Sequence, residues 1–255
     1  MNLVELLDST ARKNPNRDCI RYMGKGYTYA SILNAAEKAA GLFQQWGLKK
    51  DDKVAIMSLN TPSFVIAFYG VLKAGGVVVP VNHKLMSPEV QYILQHSEAK
   101  IFLFDGALAA VASKLTGGSV RCLSLDSPAE GFDQFDPLLA NAPSFHAVPI
   151  SENDFAEILY TSGTTGKPKG CLHTHRSVIM SGITGALTMK FDEDDRLLMA
   201  MPIWHSSPLN NWFMAAQYVG CTTVMIREYH PLHFLQAIQN EKCTIYFGAP
   251  ISYVI

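Results

Sequence analysis

From Tyr29 onward, short apolar runs alternate with stretches whose apolar positions recur every three or four residues, which predicts strands alternating with helices in a parallel sheet. Ile32, Leu33, Ala36, Ala39, Ala40, Phe43 and Trp46 recur at helical spacing, and Gly47 stands where a left-handed C-terminal cap belongs. "KVAIMSL" then reads as a buried strand. Pro62 opens a helix carrying Phe64, Ile66, Ala67, Tyr69, Val71 and Leu72, stopped by Gly75 and Gly76, and "VVVPV" is the next strand. Ser87-Pro88-Glu89 opens another helix on a cap-then-proline pattern. "KIFLF", a weak helix over Ala107 to Leu115, and "VRCLSL" complete the first series.

The segment 126–151 contains proline, glycine and acids without a period, so it reads as a surface connection dividing the chain in two. Beyond it lie a strand "FAEILY", a polar loop, a second short strand "CLHTH" and a helix from Ser177 to Lys190. Strand "RLLMAM", a helix from Leu209 to Tyr218 ending near Gly220, strand "TTVMI", a helix opened by Pro231, and strand "TIYF" follow. "APISYVI" begins another helical pattern and runs out on apolar residues, from which a fragment of a longer chain is expected.

Composition narrows the function classes. With 255 residues and 48% hydrophobic content the chain can bury a sizeable core, which excludes a disordered segment. Lysine and arginine number 21 against 22 acids, so the charge balance gives no reason to expect nucleic acid or an anionic membrane as partner. The five cysteines are scattered and form no CxxC pair, as expected of a reducing, cytoplasmic setting. No apolar run reaches the ~20 residues that span a bilayer, and the first residues mix acids and bases unlike a signal peptide. A small-molecule partner is the expectation.

The chemistry concentrates in "YTSGTTGKPKG", Tyr160 to Gly170. Gly163 and Gly166 lack a Cβ, so backbone amides there can approach an anion closely. Thr161, Ser162, Thr164 and Thr165 add hydroxyl donors, and Lys167 and Lys169 add mobile positive charge. A loop that exposes donors throughout suits phosphate; the alternative is a glycine-rich surface turn. It is not a Walker A loop, because only two residues separate the glycines and Lys167 precedes Pro168, which disfavours helix at that lysine.

The same run resembles the phosphate-binding loop of the adenylate-forming superfamily, which includes acyl-CoA synthetases, luciferases and the adenylation domains of peptide synthetases. "YTYASI" and "VLKAGGVVVPVN" are similar to two structural motifs of that family, "MPIWHSSPL" to the motif that contributes to its acyl pocket, and "TIYFGAP" to a wall of that pocket. The resemblance implies an α/β fold with two parallel-sheet subdomains of the acyl-CoA synthetase N-terminal domain, the second incomplete. It also implies a subdomain change near 127–152 and 196–205 and no C-terminal lid domain. The implied reaction activates a carboxylic, most readily fatty, acid with ATP as an acyl-adenylate and passes it to CoA as a thioester. By resemblance Thr161, Ser162, Gly163, Thr164, Thr165, Gly166, Lys167 and Lys169 hold the phosphates, Thr161 helps to hold Mg²⁺, His205 gates the carboxylate pocket, and Phe247, Gly248 and Ala249 line it.

The family's Tyr-Gly-x-Thr-Glu motif, ribose aspartate and lid lysine have no counterpart here, so the chain alone is expected to be inactive. Apolar surface meant for the missing part is expected to favour homodimers. Two other readings stay open: an amino-acid or aryl-acid adenylation domain, and a truncated binding or scaffold module. The absence of an aspartate from "WHSSPLNNW" speaks against an amino-acid substrate. His205 could equally be a buried, hydrogen-bonded histidine, Trp212, Phe213 and Met214 read mainly as core, and Phe247 to Pro250 could be a plain turn before a helix. Cys171, His173 and His175 alternate as metal ligands on a strand would, but no fourth ligand accompanies them.

Overall fold

The computed structural model describes residues 1–115, 119–161 and 167–253. It divides into two compact units, the first built from 1–34, 59–62 and 176–255, the second from 35–58 and 63–175. Both are α/β, with sheets in which parallel pairing predominates.

In the second unit, strands β1 (Lys53–Met57), β2 (Val77–Pro80), β3 (Ala99–Asp105), β4 (Arg121–Leu125), β5 (Asp133–Gln134), β6 (Phe155–Thr161) and β7 (Lys169–Thr174) form one sheet in the order β5-β4-β3-β1-β2-β6-β7. The central strands are buried on both faces, which is why residues 54–57, "VAIM", and "VVVP" are unbroken apolar runs. Ala55, Val79, Val90, Ile93, Phe102, Phe104 and Ile158 belong to the core on one side of this sheet. The final pair departs from the parallel pattern: β6 and β7 are antiparallel, because the loop joining them is far too short for a crossover.

Helices α1 (Tyr29–Gln45), α2 (Pro62–Lys73) and α3 (Ser87–His96) match the apolar periodicity closely. Gly47 has φ +83°, and the Leu48 amide donates to the Phe43 carbonyl at 3.0 Å, the expected left-handed cap. The start of α3 differs from expectation. Ser87 does not cap it; its hydroxyl donates to the Val111 carbonyl at 3.0 Å, while the Met86 amide is taken by Glu89 Oε2 at 2.9 Å. The segment 126–151 is also more anchored than a surface connection, because Phe135 is fully buried and stacks on Phe43 at 5.6 Å. The weak helix shortens to a 3₁₀ turn, Gly106–Leu108, and one turn of helix, Ala109–Ala112.

The first unit contains two elements that the apolar pattern does not announce. A helix over Leu3–Lys13 is closed at its start by reciprocal bonds: Asn2 Oδ1 accepts from the Glu5 amide at 2.9 Å and Glu5 Oε2 accepts from the Asn2 amide at 3.0 Å. The strands Asp18–Tyr22 and Lys25–Thr28 form a hairpin whose two turn residues, Met23 and Gly24, both have positive φ. The strand Asp18–Tyr22 then pairs in parallel with Thr222–Met225, which pairs with Arg196–Met199 and so with Ile245–Tyr246.

The predicted helix Leu209–Tyr218 begins instead as a π-helical stretch, Ser207–Phe213, continued by Met214–Val219 and closed by Gly220 at φ +83°. No helix among the described residues is long and apolar enough to cross a membrane.

Candidate functional site

The antiparallel pair β6–β7 positions the polar loop. Ser162, Gly163, Thr164, Thr165 and Gly166, five of the predicted phosphate-binding residues, lie outside the described residues, so the structure speaks through the loop's two shoulders. Thr161 ends β6 and is directly opposite Lys169, which begins β7. Opposed residues of an antiparallel pair project to one face, so the hydroxyl and the ammonium share a side of the hairpin neck, and both are exposed.

A set of aromatic contacts braces that neck against α3. Tyr160 presents its hydroxyl to His96 Nδ1 at 2.7 Å, and the His96 ring stacks on Tyr92 at 5.3 Å. The Tyr92 hydroxyl donates to the Pro168 carbonyl at 3.3 Å, and Lys167 Nζ lies 5.9 Å from the Tyr92 ring centroid. Burial, with Tyr92 adding to it, pushes the Tyr160 phenol up to about 12, so it stays protonated at neutral pH. Both sides of the loop are thus fixed by a helix that sequence reasoning did not connect with it. Tyr92 and His96 at i, i+4 were the available signal.

Gly170, the last letter of the run, has a steric role. On the opposite face from Lys169 it faces Tyr160, and a Cβ there would sit 2.8 Å from Ile158 Cγ2 and 3.3 Å from Tyr160 Cζ. The glycine is needed because two side chains of β6 occupy its space. Beside it, Ile158, Tyr160, Gly170, Leu172 and His96 border an open cavity of about 610 Å³.

The three alternating residues Cys171, His173 and His175 separate here. Cys171 and His173 are on β7, but His175 is buried and begins the helix His175–Met189, so the predicted strand "CLHTH" ends one residue early. No cluster of three His, Cys, Asp or Glu able to hold a metal occurs among the described residues. Burial pushes the Cys19 and Cys221 thiols up to about 12, Cys243 to about 11, and Cys122 upward, whereas Cys171 is exposed. A thiol reagent at mildly alkaline pH is therefore expected to show a single fast phase that disappears in Cys171→Ser; peptide mapping that finds another cysteine labelled first would contradict it.

In the first unit, "MPIWHSS" follows the strand Arg196–Met199. His205 is exposed, not buried; its Nδ1 accepts a weak bond from the Ser207 amide at 3.4 Å and its ring meets Trp204 edge-on at 5.6 Å. Phe213 and Met214 are fully buried core residues. Trp212 is half-buried and stacks on Phe247 at 4.5 Å with 16° between ring planes. Together with Met201, Pro208 and Leu197 this pair lines a narrow crevice. Gly248 stands under Tyr246, whose hydroxyl a Cβ at 248 would overlap; that hydroxyl donates to Ser252 Oγ at 2.8 Å. Ala249 is exposed, and its carbonyl accepts from Ser252 Oγ.

The residue that holds this segment in place is Asn60, which the sequence did not single out. It is 2% exposed. Its Nδ2 donates to the carbonyls of Met201 at 3.0 Å and Ile226 at 3.1 Å, and its Oδ1 accepts from the Ile203 amide at 2.7 Å. One side chain thereby ties together the ends of two neighbouring strands and the start of the segment leading to His205.

Comparison with known proteins agrees with this picture. The sequence model of the AMP-binding enzyme family matches residues 7–254. Crotonobetaine/carnitine–CoA ligase of Escherichia coli O127:H6 (strain E2348/69 / EPEC) is 32% identical over 228 residues, covering 86% of this chain and 44% of that protein. The chain thus spans less than half the length of this curated relative. A fatty acyl CoA synthetase of Mycobacterium tuberculosis superposes with a TM-score of 0.87 at 26% identity, over 98% of this chain and 50% of that one. The anthranilate CoA ligase AuaEII, solved in complex with anthranoyl-AMP, reaches a TM-score of 0.92 over 99% of this chain and 50% of that one; at 23% identity it speaks for the fold alone.

Proposed function

Since the chain belongs to the AMP-binding enzyme family, we propose that it supplies the phosphate-binding part of an ATP-dependent acid–CoA ligase. A carboxylate would attack the α-phosphate of ATP, forming an acyl-adenylate and releasing pyrophosphate, and the CoA thiol would then displace AMP to give the thioester. The physical obstacle is anionic charge meeting anionic charge, which preorganised donors relieve as the leaving pyrophosphate gathers charge. The observation that carries the reading is the braced hairpin neck, which presents the Thr161 hydroxyl and the Lys169 ammonium on one face of the shoulders of a Gly/Ser/Thr loop. Ser162 to Gly166 would add amides and hydroxyls between those shoulders.

By resemblance the candidate Mg²⁺ donor is the Thr161 hydroxyl, at the exposed end of β6. That fits an ion held chiefly by phosphate oxygens and water, and Mg²⁺ so held would neutralise developing phosphate charge. His205, the Trp212–Phe247 stack, Gly248 and Ala249 would border the acid. The relatives' names share CoA as the acceptor, while the absence of an aspartate from "WHSSPLNNW" favours an acid without a free amine, and the cytoplasm is the proposed setting.

Calorimetric titration with ATP and Mg²⁺ tests the reading. Saturable binding is expected, weakened about tenfold in Lys169→Ala, the loss of one charge-assisted contact. Binding unchanged in that variant, or no binding at all, would instead support a non-catalytic scaffold. The purified chain with ATP, Mg²⁺, CoA and a panel of acids is expected to yield no acyl-CoA. It contains no Tyr-Gly-x-Thr-Glu run and spans less than half of its relative.

A further inference from the structure

The second unit carries a cationic cavity at the end of its sheet remote from the polar loop. Strands β4, β3, β1, β2 and β6 are all parallel, so the starts of β3 and β4 lie at the opposite sheet edge from Thr161, which ends β6. Lys100 and Arg121 stand at those two starts. With Lys49, Asp52, Ser119 and Trp46 they line a cavity of about 520 Å³.

Two features separate this cavity from an ordinary solvated surface. First, Arg121 is held in place: its guanidinium lies over the Trp46 ring, 4.9 Å from the centroid, and Trp46 in turn packs edge-on against the fully buried Phe43 at 5.9 Å. The contact with the ring holds the arginine while N–H donors of its five-donor fork remain for a ligand. Second, the cations are not neutralised locally. No ion pair joins Lys49, Lys100 or Arg121 to a carboxylate among the described residues. The one carboxylate in the lining, Asp52, accepts the Lys49 backbone amide at 2.9 Å. Three cations against one carboxylate in a concave wall raise the local concentration of anions. The balanced charge of the whole chain argues against an extended nucleic acid, and the cavity's size suits a small ligand.

We propose that this cavity is a binding site for a small oligophosphate anion, distinct from the Thr161–Lys169 loop. Arg121 supplies directional donors, Lys49 and Lys100 supply charge, and Trp46 fixes the arginine. The site does not depend on the ligase reading, because none of its residues belongs to the loop.

Trp46 also provides the test. The chain has three tryptophans, so the indole N–H signals of the full chain can be assigned with Trp46→Phe and followed while inorganic pyrophosphate is added without Mg²⁺. The Trp46 signal is expected to move saturably and less at high salt. Arg121→Ala and Lys100→Ala are each expected to weaken the effect about tenfold, Arg121→Lys less so, and Lys169→Ala not at all. Unchanged thermal melting of each variant will report that it remains folded. A Trp46 signal that never moves, that moves equally with sodium chloride at matched ionic strength, or that still responds fully in the Arg121→Ala Lys100→Ala double variant would overturn the proposal. A response abolished by Lys169→Ala would reassign the binding to the loop.

Discussion

Asn60→Ala is expected to destabilise the first unit by about 2–4 kcal/mol, among the largest effects of any single polar substitution in the chain. The side chain makes three short bonds to backbone groups, to the carbonyls of Met201 and Ile226 and from the amide of Ile203. Ile203 is fully buried, so its amide would find no water in exchange. Removing the amide therefore forfeits the bonds and strands their partners, and the second loss is the larger. Asn60→Asp should be worse than its conservative appearance suggests. It keeps the acceptor for Ile203 but turns a donor that serves two carbonyls into an oxygen facing them. Urea unfolding will read the stability, and hydrogen exchange at Ile203 will read the local effect. Stability within ~0.5 kcal/mol of the parent with Ile203 still protected would show that Asn60 is incidental.

The second large effect is expected at Gly170. In Gly170→Val the new Cβ meets Ile158 Cγ2 at 2.8 Å, and Ile158 is a stiff β-branched residue only 7% exposed, so it cannot swing aside. Overpacking of this kind costs about 1–3 kcal/mol. The strain falls on Tyr160, whose hydroxyl meets His96, so the brace that fixes the loop's shoulders should loosen together with the hairpin. Ile158→Ala also destabilises, by opening a hole in the core of the same unit. In combination the two changes should partly cancel, because the alanine clears the space that the valine needs. A double-mutant cycle read by thermal melting should therefore show a favourable coupling above ~0.5 kcal/mol. Strict additivity would mean that Gly170 is present for its backbone and not for the room it leaves.

These two residues also mark how far the sequence could be read. The helices α1, α2 and α3 and the buried strands between them announce themselves, because a 3.6-residue apolar period, a proline at a helix start and a glycine at its end are local signals. Gly47 and Gly220 are caps in the structure as the pattern requires. What failed was the reading of features whose cause is distant. The hairpin Asp18–Tyr22 with Lys25–Thr28 is short and turns through Met23-Gly24, and its place in the sheet is set by pairing with residues some two hundred positions later. The π-helical stretch Ser207–Phe213 carries its one proline, Pro208, in its first turn, where an ordinary helix also takes proline, so no local signal betrays it.

The candidate site divides in the same way. The polar loop was legible because permissive glycines and clustered hydroxyls are unusual in any context. Its aromatic brace was not, since Tyr92 and His96 meet Tyr160 only after folding. Asn60 looked like any turn residue before Pro62, and its partners are more than 140 residues away. Phe213 and Met214 were correctly read as core, while the same helical spacing hid the stack of Trp212 on Phe247.

The proposed ligase role requires the amides of the loop between Thr161 and Lys169 to wrap a triphosphate. The direct measurement is the backbone amide spectrum of the chain during titration with a non-hydrolysable ATP analogue and Mg²⁺. Saturable shifts at Gly163, Thr164 and Gly166 that parallel the binding isotherm, and that fade in Lys169→Ala, are the predicted result. Binding that leaves those amides unmoved while signals elsewhere respond would contradict it.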